Sequence, residues 1–215
     1  HELQKTDIFI KINNIVKRVS LKCGIKNSVH SEPISEFIHF LIENKISKAN
    51  VTAYLKYHYA DGTTNGTGTV RMPIEEYKKL HQQEIDEINL AFNQKDILEN
   101  MVKRFVLQGR NSKEEIDVLI YGTIYDFMYL KNEEIKEIIC NSHDSYSTAV
   151  HVGPLTIQPI LRNLNHNSKY DRKRFMVQVK WYCLHDDIIN YRNSLLLKSY
   201  PFDFLEDWGF EENKK

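Results

Sequence analysis

The residue whose type and setting most clearly suggest chemistry is Lys180. It lies in the stretch 174–181, which reads Arg-Phe-Met-Val-Gln-Val-Lys-Trp. In an extended chain successive side chains point to opposite faces, so Phe175, Val177 and Val179 share one face and Met176, Gln178 and Lys180 the other. The stretch is apolar and is followed by Tyr182 and Cys183, which reads as a central strand. A lysine there needs a partner or a task. The task its chemistry suits is a phosphate, whose developing charge an ammonium stabilises or whose attacking water it positions. The plainer reading is a solvent-facing strand with the lysine stem laid along apolar surface.

Residues 162–174 lead directly into that strand. They hold Arg162, Lys169, Arg172, Lys173 and Arg174 against the single acid Asp171, a net charge of +4 in a chain whose overall charge is zero. With Asn163 they form a set suited to phosphate and base-edge contacts on nucleic acid. A solvated hairpin loop is the plainer alternative. Upstream, the stretch 147–158 carries His151, Thr156 and Gln158 among apolar residues. If it pairs beside Lys180, then His151, Gln158, Gln178 and Lys180 form one polar patch within a sheet. Such a patch is costly unless it binds something. A histidine satisfied within the core is the simpler account of His151. His185 precedes Asp186 and Asp187. A histidine beside carboxylates suits a general base or a metal ligand. Alternatively Asp186 caps a final helix and Asp187 sits in its first turn.

The Gln178-Val179-Lys180 unit resembles the second half of the active-site motif of the PD-(D/E)XK nucleases, a family that includes many type II restriction endonucleases. The resemblance spans roughly residues 115–190. It implies cleavage of double-stranded DNA, a homodimer and Mg2+. Candidate metal-binding acids are Asp117, Asp144 and Asp187. Candidate catalytic groups are Lys180, Gln178, His151 and His185. Arg162, Asn163, Gln158, Lys169, Arg172, Lys173 and Arg174 are the candidate nucleic-acid contacts. The motif carries an acid where this chain has Gln178, and a neutral amide is a poorer magnesium ligand than a carboxylate. That departure leaves room for a restriction enzyme that excises a base without a metal, and for a nucleic-acid-binding protein that does no chemistry. A third class is a protein-interaction domain using the aromatic tail from Tyr200 to Phe204.

The elements that must position these residues follow from periodicity. Ile8, Ile12, Ile15, Val16 and Val19 form a helical stripe over 7–22, with Asp7 as its cap. A second helix is expected over 35–46, capped by Ser35. Val51, Ala53, Leu55, Tyr57 and Tyr59 alternate with Thr52, Tyr54, Lys56 and His58, which predicts a strand. Asp61-Gly62 and Asn65-Gly66 then supply turns, and a return strand over 69–72 completes a hairpin. Its tip would hold His58 and Asp61. Helices follow over 74–91, opened by Pro73, and from an Asp96/Glu99 capping box to Gly109. Strands are predicted at 116–119, 124–130, 147–152, 155–160 and 174–184. A helix from Asn132 to Cys140 and another from Asp186 to about Leu197 complete the list. The predicted class is α+β, with a mostly antiparallel, curved sheet and helices concentrated in the N-terminal half of a single domain.

Composition narrows the function classes. The 215 residues are 41% hydrophobic and 27% charged, ordinary for a globular chain. Zero net charge excludes a wholly basic nucleic-acid binder but not a local basic patch. Cys23, Cys140 and Cys183 are odd in number and far apart, which disfavours a disulfide framework or a zinc site and suits free thiols in the cytoplasm. No apolar run reaches the 18 residues of a membrane span, and there is no basic-then-apolar leader. Neither GxGxxG nor GxxxxGK[ST] occurs, so nothing points to a dinucleotide or P-loop site.

Overall fold

The computed structural model describes residues 4–23, 27–110, 112–142, 149–160 and 171–197, of which the side chains of 171, 172, 196 and 197 are left aside. The chain is α+β, built on two four-stranded sheets. The first has the order β1-β2-β4-β5 and the second β3-β8-β7-β6.

The chain enters through β1 (Ile8–Ile12) and β2 (Ile15–Lys22), an antiparallel hairpin where a helix over 7–22 was expected. Asn13 and Asn14 make the two-residue turn with φ of 47° and 68°. Both values lie in the left-handed region that this tight hairpin turn requires and that asparagine tolerates. The stripe of isoleucines and valines fits a helix wheel, but β-branched residues favour strands once a turn is available. Asp7 caps no helix. Its Oδ2 accepts from Ser20 Oγ at 3.1 Å and from the Leu21 N–H at 2.7 Å, closing the base of the hairpin.

β3 (Ser28–Pro33) leads into α1 (Ile34–Glu43), which covers most of the helix predicted over 35–46 but is preceded by Pro33 rather than capped by Ser35. The predicted strand 51–59 is instead helical, within α2 (Lys48–Tyr59). Ser47 caps it by accepting the Asn50 N–H at 3.1 Å. Val51, Tyr54, Tyr57, His58 and Tyr59 are its buried side chains, and the first four recur at a helical spacing of three and four rather than two. Ala60, at φ 47°, ends the helix. There is thus no hairpin over 51–72. His58 is buried on the helix, and residues 60–73 form a loop in which Gly62 and Gly66 take positive φ.

α3 (Ile74–Leu80), α4 (Gln82–Phe92) and α5 (Lys95–Val102) follow, in line with the charged helical stretches read from the sequence. α5 continues without a break into a π-helical segment, Lys103–Gln108, which Gly109 stops at φ 86°. β4 (Val118–Gly122) and β5 (Phe127–Lys131) form the expected hairpin, and α6 (Asn132–Asn141) the expected helix. β4 lies parallel to β2, so the first sheet is mixed. The second is wholly antiparallel, with β6 (His151–Val152), β7 (Leu155–Pro159) and β8 (Met176–Trp181) beside β3. Within the predicted 147–152 strand, only His151 and Val152 are strand among the described residues. α7 (Asp171–Arg174) precedes β8, and α8 (Leu184–Leu197) closes the described chain. Helices flank strands along the whole chain and are not concentrated in its N-terminal half. Asp186 lies inside the first turn of α8 rather than capping it.

The main core lies between the inner face of the second sheet and helices α1, α2, α4, α5 and the π segment. Phe37 is its hub, with ring centroids 5.0 Å from Tyr54, 5.8 Å from Phe105 and 6.2 Å from Phe92. One charged group intrudes from β3. Glu32 is fully buried, and Arg104 of the π segment meets it with two hydrogen bonds from Nε at 3.1 Å and one from Nη2 at 2.5 Å. His30 Nε2 lies 3.5 Å from the same carboxylate, and Lys5 Nζ lies 3.0 Å from His30 Nδ1. Burial opposes the charge on Glu32, yet His30 and Arg104 together hold its pKa below the usual carboxylate range. Burial pushes His30 and, separately, His58 down to about 4, and Lys5 to about 7.

Two outcomes follow. Arg104→Ala leaves a buried carboxylate uncompensated and lowers stability by about 3–5 kcal/mol, read as a shift in urea midpoint. The two buried histidines also set an acid limit. Unfolded histidine titrates near 6.5 and these two near 4, so between those values the unfolded chain binds more protons. Stability is therefore full above pH 6.5 and falls as pH drops toward 4. Replacing His58 with Asn flattens that slope, and an unchanged slope in midpoints measured from pH 4 to 7 refutes the assignment.

Candidate nucleic-acid interface

β8 divides its side chains between two worlds. Val177, Val179 and Trp181 face the core and are fully buried. Met176, Gln178 and Lys180 face the other way and are half-buried. Pairing carries that outer face across three further strands. Opposite Lys180 stands Thr156 on β7, and opposite Thr156 stands His151 on β6. On the other side Lys180 pairs with Ser28 of β3. Paired residues share a face. Ser28, Lys180, Thr156 and His151 therefore form one row across the sheet. The neighbouring row holds Ser31, Gln178 and Gln158. The patch inferred from sequence, with His151, Gln158, Gln178 and Lys180 together, is the one the fold assembles.

The patch is bonded internally. Tyr182 Oη donates to Gln158 Oε1 at 3.3 Å, Gln158 Nε2 to Gln178 Oε1 at 3.5 Å, and Gln178 Nε2 to Ser28 Oγ at 3.1 Å. The two amides are thus oriented in one direction along the chain of donors. Lys180 Nζ stands 5.2 Å from the centre of the Tyr182 ring, a cation–π contact at the rim of the patch. His151 Nδ1 lies 3.0 Å from the Gly153 carbonyl. That acceptor requires a proton on Nδ1, so Nε2 carries the lone pair of the neutral ring. The backbone of His151 is held as well, its N–H donating to Asn89 Oδ1 at 2.9 Å and its carbonyl accepting from Asn93 Nδ2 at 3.0 Å.

The other nominated residues fall elsewhere. Asp117 belongs to the first sheet, where its Oδ2 accepts the Arg18 N–H at 2.6 Å. Asp187 accepts from the Trp181 indole at 2.6 Å, on the core side of β8, and burial raises its pKa. His185 is exposed, 3.0 Å from Asp186, and borders a 500 Å³ cleft with Tyr121, Asp126 and Ile189. Arg174 is committed to the fold. Its Nη2 donates to the Gly68 carbonyl at 2.6 Å and to Asp61 Oδ2 at 3.2 Å. Donors from Thr63, Gly68 and Arg174 hold Asp61 below its usual range despite burial. As a backbone-gripping cation Arg174 is therefore a poor choice, because leaving would abandon a buried carboxylate. Lys173 is exposed on α7. Arg162, Asn163, Lys169 and Asp144 lie outside the described residues, as do the side chain of Arg172 and the aromatic tail.

No group of three or more potential ligands converges among the described residues, where Asp117 is engaged by Arg18 and Asp187 by Trp181. Among the described residues, those paired beside Lys180 and Gln178 bear amides and hydroxyls rather than carboxylates. Sequence reading missed Tyr182, although its place two residues after Lys180 put it within reach. It also missed Ser28, for which no signal existed, since β3 and β8 lie about 150 residues apart.

Lys180→Met removes one cation–π contact worth about 0.5–1 kcal/mol at an exposed site. Its thermal midpoint stays within a few degrees of the parent, whereas a drop beyond that identifies Lys180 as a structural residue.

No protein-family model matches this chain, and comparison with curated proteins returns no match.

Proposed function

We propose that this chain binds double-stranded DNA and cleaves it as a sequence-specific restriction endonuclease, acting as a homodimer. The observation that carries the reading is the row shared by Lys180 and His151 on the outer face of the second sheet. Strands lie about 4.8 Å apart, so the two backbones are separated by roughly 10 Å. That distance admits a phosphodiester between the side chains. Lys180 would neutralise charge building on a non-bridging oxygen. His151 would accept a proton from the attacking water through the nitrogen that carries its lone pair. Gln178, oriented by the buried Gln158 and by Ser28, would position the phosphate or a base edge. The basic stretch 162–173 of the sequence, which precedes β8, would supply the charge that a polyanion seeks.

A second reading has its own support. Gln178 stands where the PD-(D/E)XK motif has an acid, and its amide is already engaged by Gln158 and Ser28. A protein that binds nucleic acid without cutting it uses the same face and needs no acid.

Incubation with supercoiled plasmid, with Mg2+ or with EDTA, separates the readings. Cleavage predicts discrete fragments, lost in Lys180→Met by at least 100-fold while the melting midpoint is retained. Retarded mobility without fragments supports binding alone. Undiminished cutting by Lys180→Met sinks the active-site assignment. Persistence of cutting in EDTA supports chemistry carried by the side chains themselves.

A further inference from the structure

The β1–β2 hairpin is longer than the sheet that carries it. β2 pairs with β4 only from Val19 onward, while its pairing with β1 runs on to Ile15. Arg18 is still tied to Asp117 by its backbone, and beyond it the two-stranded ribbon overhangs by four residues, about 13 Å at the rise of a strand. The whole hairpin from Ile8 to Lys22 contains Lys11, Lys17, Arg18 and Lys22 and no acid. Two of these cations serve the fold at the base of the ribbon. Arg18 Nε donates to Glu114 at 3.0 Å, and Lys22 Nζ donates to Ser20 Oγ at 2.9 Å. Lys11 and Lys17 pair with no acid among the described residues. Lys11 stands opposite Val16, and Lys17 opposite Ile10, so the two lysines lie on opposite faces of the ribbon. Between them, at the tip, Asn13 and Asn14 are both exposed.

We propose that this hairpin tip enters the major groove of DNA, with Asn13 and Asn14 at the base edges and Lys11 and Lys17 against the phosphates of the two walls. The inference rests on the DNA-handling reading above and adds the element that selects sequence. A two-stranded ribbon fits a groove about 12 Å wide and 8.5 Å deep, and asparagine pairs with adenine through both of its amide atoms. A cation on each face matches a groove that has a phosphate wall on each side. Ile15 and Val16 at the tip are 43% and 50% exposed, apolar surface of the kind that packs on thymine methyls. The absence of acids from the ribbon favours this polyanion over a second copy of the chain as its occupant.

The test measures binding of a mixed-sequence 40-base-pair duplex pool by anisotropy across a salt series, followed by sequencing of the selected duplexes. Lys11→Gln/Lys17→Gln is expected to lower the slope of log K against log salt by about 2, since each phosphate contact contributes about 0.9. Asn13→Gly/Asn14→Gly keeps the left-handed turn, because glycine adopts positive φ freely. It is expected to leave the slope unchanged and to erase the preferred sequence. DNA binding by the parent with both variants unchanged in slope and selected sequence overturns this inference and leaves the proposed function standing. No DNA binding by the parent overturns both. If Ile15→Ser/Val16→Ser converts a dimer to a monomer in sedimentation while slope and selected sequence persist, the ribbon is a self-association arm and the inference fails.

Discussion

A buried carboxylate organises this molecule. Glu32 lies on the core side of β3, directly opposite Val177, where no water can solvate it. Its charge must be met from inside the core, and Arg104 meets it with both ends of its guanidinium. Arg104 reaches there from a π-helical segment, and its planar group also rests 4.8 Å from the centre of the Phe40 ring on α1. One ion pair thus ties the second sheet to two helices. Such a pair adds little net stability over an apolar isostere, but losing one partner is costly. It acts as a register pin. If β3 slipped by one residue on β8, Glu32 would turn to the outer face and Arg104 would be stranded.

That pin decides what the outer face displays. With Glu32 inward, Ser28 and Ser31 point outward beside Lys180 and Gln178. The same alternation gives β8 an apolar inner face, built from Val177, Val179 and Trp181, and a polar outer one. The inner face supplies the stability. The outer face holds amides, hydroxyls and a cation in an ordered array, with Thr156 and Gln158 of β7 buried within it. Its groups satisfy one another in sequence, from Tyr182 through Gln158 and Gln178 to Ser28, so the array is oriented before any ligand arrives. Preorganisation of this kind lowers the cost of binding a polar partner.

The amide at position 178 is coherent with its surroundings. A carboxylate there would accept from Gln158 but could not donate to Ser28. The amide does both, whereas a carboxylate would need the Ser28 hydroxyl to turn donor. Both ends of the Gln178 amide are thus engaged by its neighbours. Arg174 tells the converse story. It belongs by sequence to the basic run before β8, yet the fold spends it on Asp61 and Gly68 to fasten the 60–73 loop.

By itself the sequence determined the α+β class, a helix over 35–46 that overlaps most of α1, the β4–β5 hairpin, α6 and the polar alternation of β8. Each rests on interactions between near neighbours, whose period is written in the chain. It also placed His151, Gln158, Gln178 and Lys180 on one conditional surface, because alternation fixes which side chains can share a face. Only the tertiary structure decided that β6, β7, β8 and β3 stand side by side, since strand pairing joins residues as far apart as Ser28 and Lys180. It also reversed two local readings. The 51–59 stretch alternates like a strand, but a Ser47 cap and a core that wanted Val51, Tyr54, Tyr57 and His58 on one side made it a helix. The 7–22 stretch has a helical stripe, but the Asn13-Asn14 turn and a free edge on β4 made it a hairpin. Local pattern proposes a period, and long-range burial chooses among the periods it allows.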